Sequence, residues 1–442
     1  MQSKALPGFR DFYPDEFAVR AHIVATWRRV AASYGFEEYD GPPLEPLELY
    51  TAKSGDEIVG QLYNFVDKGG REVALRPEMT PTLARMVAAR ANGLKKPIRW
   101  FAVPQLFRYE RAQRGRLREH FQLNCDLIGE AGPLGDAEII ALSIDVMRAF
   151  GLGPADVRVR VSDRRVLSAL LRGGGVTDRE LGTAYQAIDK MERAPRAELE
   201  RQLAEAGLAA PVVARIFAAA ELRGAEALRV ALAEVPGGAD AGAPLFETLA
   251  ALEAMDIGDF VDLDMTIVRG LAYYTGTVFE LFDAGRSLRA ICGGGRYDDL
   301  LRSLGGVDLP ALGFGMGDVV LGELLRERGL LPEHRTSIDV FVAAVTPEDV
   351  PHVLSLAHEL RDAGQRVEFA LGAQAVGKQL KLAGSRGARF AAVIGPDDRA
   401  RGEVMLKDLA AQTQSAVARD MVLDRIGAVA GAYDETKRSG NG

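Results

Sequence analysis

Strand-forming and strand-free stretches follow one another along these 442 residues in an order that admits few folds. "REVALRPE" (71–78), "PIRWFAVPQLFR" (97–108) and "HFQLNCDLIGE" (120–130) read as strands. From about 165 to 255 the chain turns rich in Ala, Leu, Arg and Glu, with a capping box at Thr177 and Glu180. Strands then resume in "DMTIVRGLAYYTGTVFELFD" (264–283) and "RSLRAICGGG" (286–295), and "PALGFGMGDVVLGELLRERG" (310–329) runs from strand into helix. A sheet interrupted by a helical insertion is an α+β arrangement, with a mixed, mainly antiparallel sheet. Helices are expected from Pro14 to Gly35, where Phe17, Val24, Trp27 and Ala31 share a face, and over 135–152. A second pattern begins near Ser337. The strand "SIDVFVAAV" precedes a helix with Thr346 as N-cap, Pro347 in the first turn and Gly364 past its end, and strand, helix and strand follow. The expected organisation is therefore a domain over 1–330 with an insertion at about 165–255, a smaller α/β domain over 335–428, and a disordered tail at 429–442.

The bulk numbers exclude several classes. The two cysteines, Cys125 and Cys292, are too few for a disulfide framework. None of the five histidines stands at metal-ligand spacing, so no metal site is expected within the protein. No apolar run approaches the roughly 18 residues of a membrane span. The start, "MQSKALPGFRDFYPDE", lacks a signal-peptide core, which makes a cytoplasmic location the expectation. A formal net charge of -8 argues against broad nonspecific nucleic-acid binding while leaving room for a local basic site.

Such a site is visible. "RYERAQRGRLR" (108–118) holds five arginines in eleven residues, in the loop between two strands that read as an antiparallel hairpin. Arginine forks match phosphate oxygens and stay charged in any environment. A phosphate pocket and a solvated charged hairpin both fit the loop taken alone. "LRPEMTP" (75–81) reads as a strand ending in a turn, with Glu78 and Thr80 on one face; they could hold an ammonium group or merely terminate the strand. Tyr273 and Tyr274 would face opposite sides of a strand, one lining a pocket or both packing. "CGGGRYDDLL" (292–301) and "GFGMG" (313–317) could let backbone approach a flat ligand or mark bends in a twisted sheet. "GAQAVGKQ" (372–379) nearly matches a phosphate loop, but Gln379 stands where a hydroxyl residue should hold magnesium, so a helix start is the better reading.

The order of these motifs is more specific than any one of them. "LRPEMTP", the arginine hairpin, "RGLAYYTGTVFE", "GGGRYDDLL" and "ALGFGMG" running into a helix, followed by a small α/β domain, resemble the class II histidyl-tRNA synthetases over about residues 4 to 425. The resemblance implies a ligase that makes histidyl-adenylate from histidine and ATP with Mg2+, then charges tRNA(His). It also implies a homodimer formed near Pro43 and a C-terminal anticodon-binding domain. Residue by residue, it implies that Arg108, Glu110, Arg116 and Arg269 bind ATP, with Arg108 and Arg269 on the α-phosphate. Histidine would be held by Glu78, Thr80, Gln122 and Arg269, its imidazole read by Asp126 and Tyr274 between Tyr273 and Tyr297. Arg111 and Gln113 would meet the tRNA acceptor end. Three positions depart from the family pattern: Ala272 for an aspartate, Asp126 for a glutamate, and Val320 for the third-motif arginine on ATP's terminal phosphate. The last removes a charge-assisted contact of about 1.5–3 kcal/mol. The competing reading is a synthetase-like, histidine-binding regulatory subunit of ATP phosphoribosyltransferase; such a subunit typically lacks the C-terminal domain and an intact arginine loop.

Overall fold

The computed structural model describes residues 4–51, 60–109, 115, 117–268, 273–332 and 338–427. The chain separates into two compact units, Met1–Pro332 and Glu333–Gly442.

In the first unit, nine strands among the described residues form one mixed sheet. They are β1 (Glu37–Glu38), β5 (Ile98–Ala102), β6 (Gln105–Phe107), β7 (Glu119–Ile128), β8 (Val157–Asp163), β9 (Val261–Leu263), β10 (Thr277–Asp283), β11 (Cys292–Arg296) and β12 (Ala311–Gly317). Their order is β1-β5-β7-β12-β11-β10-β8-β9, with β6 also on β7. Only β1·β5 and β8·β9 are parallel, so the sheet is mainly antiparallel, as the sequence implied. A three-stranded sheet of β2 (Leu44–Pro46), β4 (Glu72–Leu75) and β3 (Asn64–Val66) stands apart.

The central strands are buried because helices cover them. Trp27 of α1 (Pro14–Ser33) is fully buried, and α3 (Pro133–Ala149) adds eight buried apolar side chains to the same core, from Ala137 to Met147. Between β8 and β9 the chain forms six helices, α4 (Arg164–Gly173) to α9 (Gly238–Ala254). Asp163, wholly buried, caps α4 by accepting from the Arg165 and Val166 amides.

Three local readings change in the folded chain. The run 97–108 is two strands, although its register on β7 is unbroken: Ala102 faces Asn124 and Gln105 faces Phe121. Pro104 has no N–H for the ladder, which divides the strand. Among the described residues of the run 264–283, strand begins only at Thr277; near the start, the Asp264 carboxylate accepts from the Thr266 amide and hydroxyl and turns the chain. "LRPEMTP" does not continue as strand: β4 stops at Leu75, and Thr80 opens helix α2 (Thr80–Arg90), with Pro81 in its first turn. Glu78 and Thr80 are therefore not alternate residues of one strand.

The second unit has the sheet order β14-β13-β15-β16-β17. Strands β13 (Val340–Ala344), β14 (Val367–Phe369) and β15 (Phe390–Ile394) are parallel. The antiparallel pair β16 (Glu403–Asp408) and β17 (Thr413–Ala418) extends the α/β pattern. Thr346 and Asp349 form a capping box, and Gly364 takes φ +84° past the helix end. Gln379 is buried, bonding to both backbone groups of Ala344 at the edge of β13. That contact explains a glutamine where a phosphate loop would carry a hydroxyl.

Candidate active site

The site lies on β7, β12 and β11. Gln122, Asn124 and Asp126 share one face of β7, as alternate strand residues must. The facing positions on β12 are Gly317, Gly315 and Gly313, of which Gly315 and Gly313 in turn pair with Gly293 and Gly295 of β11. The glycines provide clearance. A Cβ on Gly313 would stand 2.5 Å from Asp126 Oδ1, and one on Gly315 would stand 2.5 Å from Gln122 Nε2. Gly294 points the other way, into Phe314 and Phe279, and serves the core. "GGG" and "GFGMG" are thus one side-chain-free lane on two neighbouring strands.

A cavity of about 670 Å³ opens above this lane. Glu78, Arg108, His120, Gln122, Glu280, Arg289, Gly293, Gly315 and Val320 are on its wall. Arg108 follows β6, where the hairpin closes with its amide donating to Arg118 O (2.9 Å). Its Nε donates to Pro77 O at 3.0 Å, which anchors it beside the turn carrying Glu78. Burial raises the Glu78 carboxyl above its usual range against the pull of Arg108. A substrate ammonium there would favour the charged form.

Behind the cavity, Asp126 is 4% and Tyr297 3% exposed, and the Tyr297 hydroxyl donates to Asp126. Burial pushes the Asp126 carboxyl up to about 7, with that hydrogen bond pulling it down. Tyr273, Tyr274 and Tyr297 cluster: their ring centroids are 5.1 Å (273–274), 6.0 Å (273–297) and 6.5 Å (274–297) apart. Tyr273 and Tyr274 therefore turn to the same cluster, because the chain there is not a strand. Asp126 and Gln122 are about 13 Å apart along β7 at strand rise, a span that an amino acid and its side-chain contacts can bridge.

The structure thus brings Glu78, Arg108 and Gln122 to one cavity, and Asp126, Tyr273, Tyr274 and Tyr297 to the adjoining cluster. Thr80 sits at the start of α2. Glu110, Arg111, Gln113, Arg116, Arg269 and Ala272 lie outside the described residues.

Several positioning groups escaped the sequence. Arg76 is 5% exposed and bonds to Gln105 O, Asp40 and Gly41 O, fixing the turn before Glu78. Arg10 bridges Glu119 and Asp318, and Asp318 accepts from the Phe121 amide, locking the start of α11 (Asp318–Glu327) against β7. Arg296 is buried and joins Asp136 at the start of α3 and the carbonyls of Glu130 and Gly132. The "GGGRYD" arginine is a structural clamp, not a ligand group. His120 is held neutral: burial, with Arg108 and Arg10 nearby, lowers it to about 3. These hydrogen-bond partners of Arg76, Arg10 and Arg296 lie 29 to 308 residues away in sequence, and no local pattern announces them.

Residues 8–317 match the model of the family described as histidyl-tRNA synthetase, and 339–428 match the anticodon binding domain. Among curated relatives, the histidine–tRNA ligase of Opitutus terrae is 45% identical over 423 residues, covering 95% of this chain and 97% of that one. The solved histidyl-tRNA synthetase of Nostoc sp. PCC 7120 superposes with a TM-score of 0.79 at 26% identity, covering 97% and 99% of the two chains. A Bacillus halodurans structure described as an ATP phosphoribosyltransferase regulatory subunit/histidyl-tRNA synthetase superposes with a TM-score of 0.74 at 25% identity, covering 89% and 98%.

Proposed function

The chain belongs to the histidyl-tRNA synthetase family, and from that premise we propose that it activates histidine with ATP and transfers it to the 3′ end of tRNA(His). The observation that carries this reading is the continuity of the site. Arg108, Glu78 and Gln122 border a cavity whose floor strand leads directly to the Asp126–Tyr297 pair. A polyanion and an amino acid can lie end to end on the glycine lane.

In the first step the histidine carboxylate attacks the α-phosphorus, and pyrophosphate leaves. In-line attack on phosphorus needs positioning and charge neutralisation rather than a covalent nucleophile. Arg108, with Arg269 and Arg116 from the flanking segments, neutralises the phosphates, and Glu110 contacts the adenine side. Glu78, Thr80 and Gln122 hold the amino and carboxylate groups. Asp126 and Tyr274 take the two imidazole nitrogens, with Tyr273 and Tyr297 as walls; the raised pKa of Asp126 lets it share a proton with imidazole near neutral pH. Mg2+ accompanying ATP would lower the charge of the phosphates, and Glu280 on the cavity wall would offer it a carboxylate oxygen, a donor suited to a hard cation.

Arg111 and Gln113 meet the tRNA acceptor end in the second step, and the C-terminal unit binds the anticodon. The working form is a cytoplasmic homodimer. The match of 339–428 to the anticodon binding domain favours charging over the regulatory-subunit reading. ATP–pyrophosphate exchange with each of the twenty amino acids tests the proposal. Exchange with histidine alone is expected. Histidine binding without exchange would transfer the assignment to the regulator.

A further inference from the structure

Two arginines on the cavity wall, Arg193 and Arg289, have no part in the scheme above. Arg289 precedes β11 and borders the cavity with Gly115, Val319 and Val320. The three elements meet closely: a Cβ on Gly115, in the arginine loop, would stand 3.5 Å from Arg289 Cδ and 3.6 Å from Val320 Cγ2. The other arginines nearby are engaged. Arg286 pairs with Glu192 at 3.1 Å, Arg193 faces Asp189 at 3.6 Å, and Arg108 is held by Pro77 O. Among the described residues Arg289 has neither a carboxylate within 4.0 Å nor a hydrogen-bond acceptor. A guanidinium that no group among the described residues neutralises, on the wall of a cavity that Arg108 also borders, is suited to an anionic ligand. The first turn of α11 offers no charge there, because Val319 and Val320 are its cavity residues.

We propose that Arg289 binds the terminal phosphates of ATP, supplying from the segment before β11 the positive charge that Val320 cannot supply from α11. The proposal rests on the reading that ATP occupies this cavity. In the activation step a histidine carboxylate oxygen forms a bond to the α-phosphorus. The bond from that phosphorus to the bridging oxygen breaks, and pyrophosphate departs with the electron pair. Arg289 holds the leaving pyrophosphate and takes up part of its growing charge.

The test uses the full chain, with ATP–pyrophosphate exchange, ATP calorimetry and thermal unfolding for wild type, Arg289→Ala and Arg289→Lys. Loss of a charge-assisted contact predicts a fall of about 10- to 150-fold in kcat/KM for ATP in the alanine variant. The KM for histidine should stay within about twofold, with the lysine variant between the two. An unchanged kcat/KM for ATP overturns the proposal. So does a parallel loss for both substrates with a lowered melting temperature, which marks a structural role. If wild type shows no histidine-dependent exchange, the reading of the reaction fails, and calorimetry still decides Arg289: equal ATP affinity for wild type and Arg289→Ala rejects the contact, and weaker affinity in the variant retains it.

Discussion

Replacing Asp126 by Asn should make the ligand-free protein more stable at neutral pH while weakening histidine binding. The Asp126 carboxyl is pushed from 3.8 to about 7, chiefly by burial. Between those values the folded protein keeps a proton that the unfolded chain has released. The contribution of Asp126 to folding stability therefore declines as pH rises from about 4 to about 7, and is level above. Three units at about 1.4 kcal/mol each amount to a penalty of about 4 kcal/mol at pH 8. Asparagine carries no charge to desolvate and keeps an oxygen for the Tyr297 hydroxyl, although its amide hydrogens can cost about 1–3 kcal/mol if left unpaired. That cost does not vary with pH. The stability difference between variant and wild type should thus grow by about 4 kcal/mol from pH 4 to pH 7. Glu78, Asp136 and Asp318 also have raised carboxyls, but both proteins contain them and they cancel. Urea unfolding followed by tryptophan fluorescence is the assay. Both tryptophans, Trp27 and Trp100, lie in the first unit, so the signal reports the unit that holds the site. A difference constant across pH would refute the argument that Asp126 is held against its charge. The same variant should bind histidine about 10- to 150-fold more weakly through loss of a charge-assisted hydrogen bond; affinity within twofold of wild type would remove Asp126 from imidazole recognition.

Further predictions follow from the clearances and clamps. Gly313→Ala puts a Cβ 2.5 Å from Asp126 Oδ1 and Cys125 O and 2.9 Å from Tyr297 Oη. It should cost about 1–3 kcal/mol and raise the KM for histidine at least tenfold, whereas a normal KM would show that the lane is not needed for clearance. Arg296→Ala leaves Asp136, 3% exposed, without its cation, and should lower unfolding free energy by about 3–5 kcal/mol; an unchanged urea midpoint would contradict a clamping role. Arg108→Ala should reduce histidine-dependent exchange by about 10²-fold or more with an unchanged circular dichroism spectrum, and full activity would take Arg108 out of the phosphate site.

Capping and turn chemistry were legible because they act over a few residues. Pro14, Thr346 and Gly364 mark helix ends in the sequence and in the structure. Where a nearby residue overrode strand propensity, the reading failed: Pro81 carried 80–90 into a helix, and Asp264 turned the chain away from the sheet. The glycine-rich motifs were visible, but not their purpose, which depends on β11 and β12 lying next to β7.

The sequence by itself determined the alternation of elements, the arginine hairpin and the residue types of the site. Only the tertiary structure decided which of them meet. Tyr297 reaches Asp126 across 171 residues, and Arg296 reaches Asp136 across 160. Backbone propensity is set by neighbours in sequence, whereas the burial that moves the Asp126 carboxyl to about 7 and keeps His120 neutral is set by whatever strands and helices pack around them.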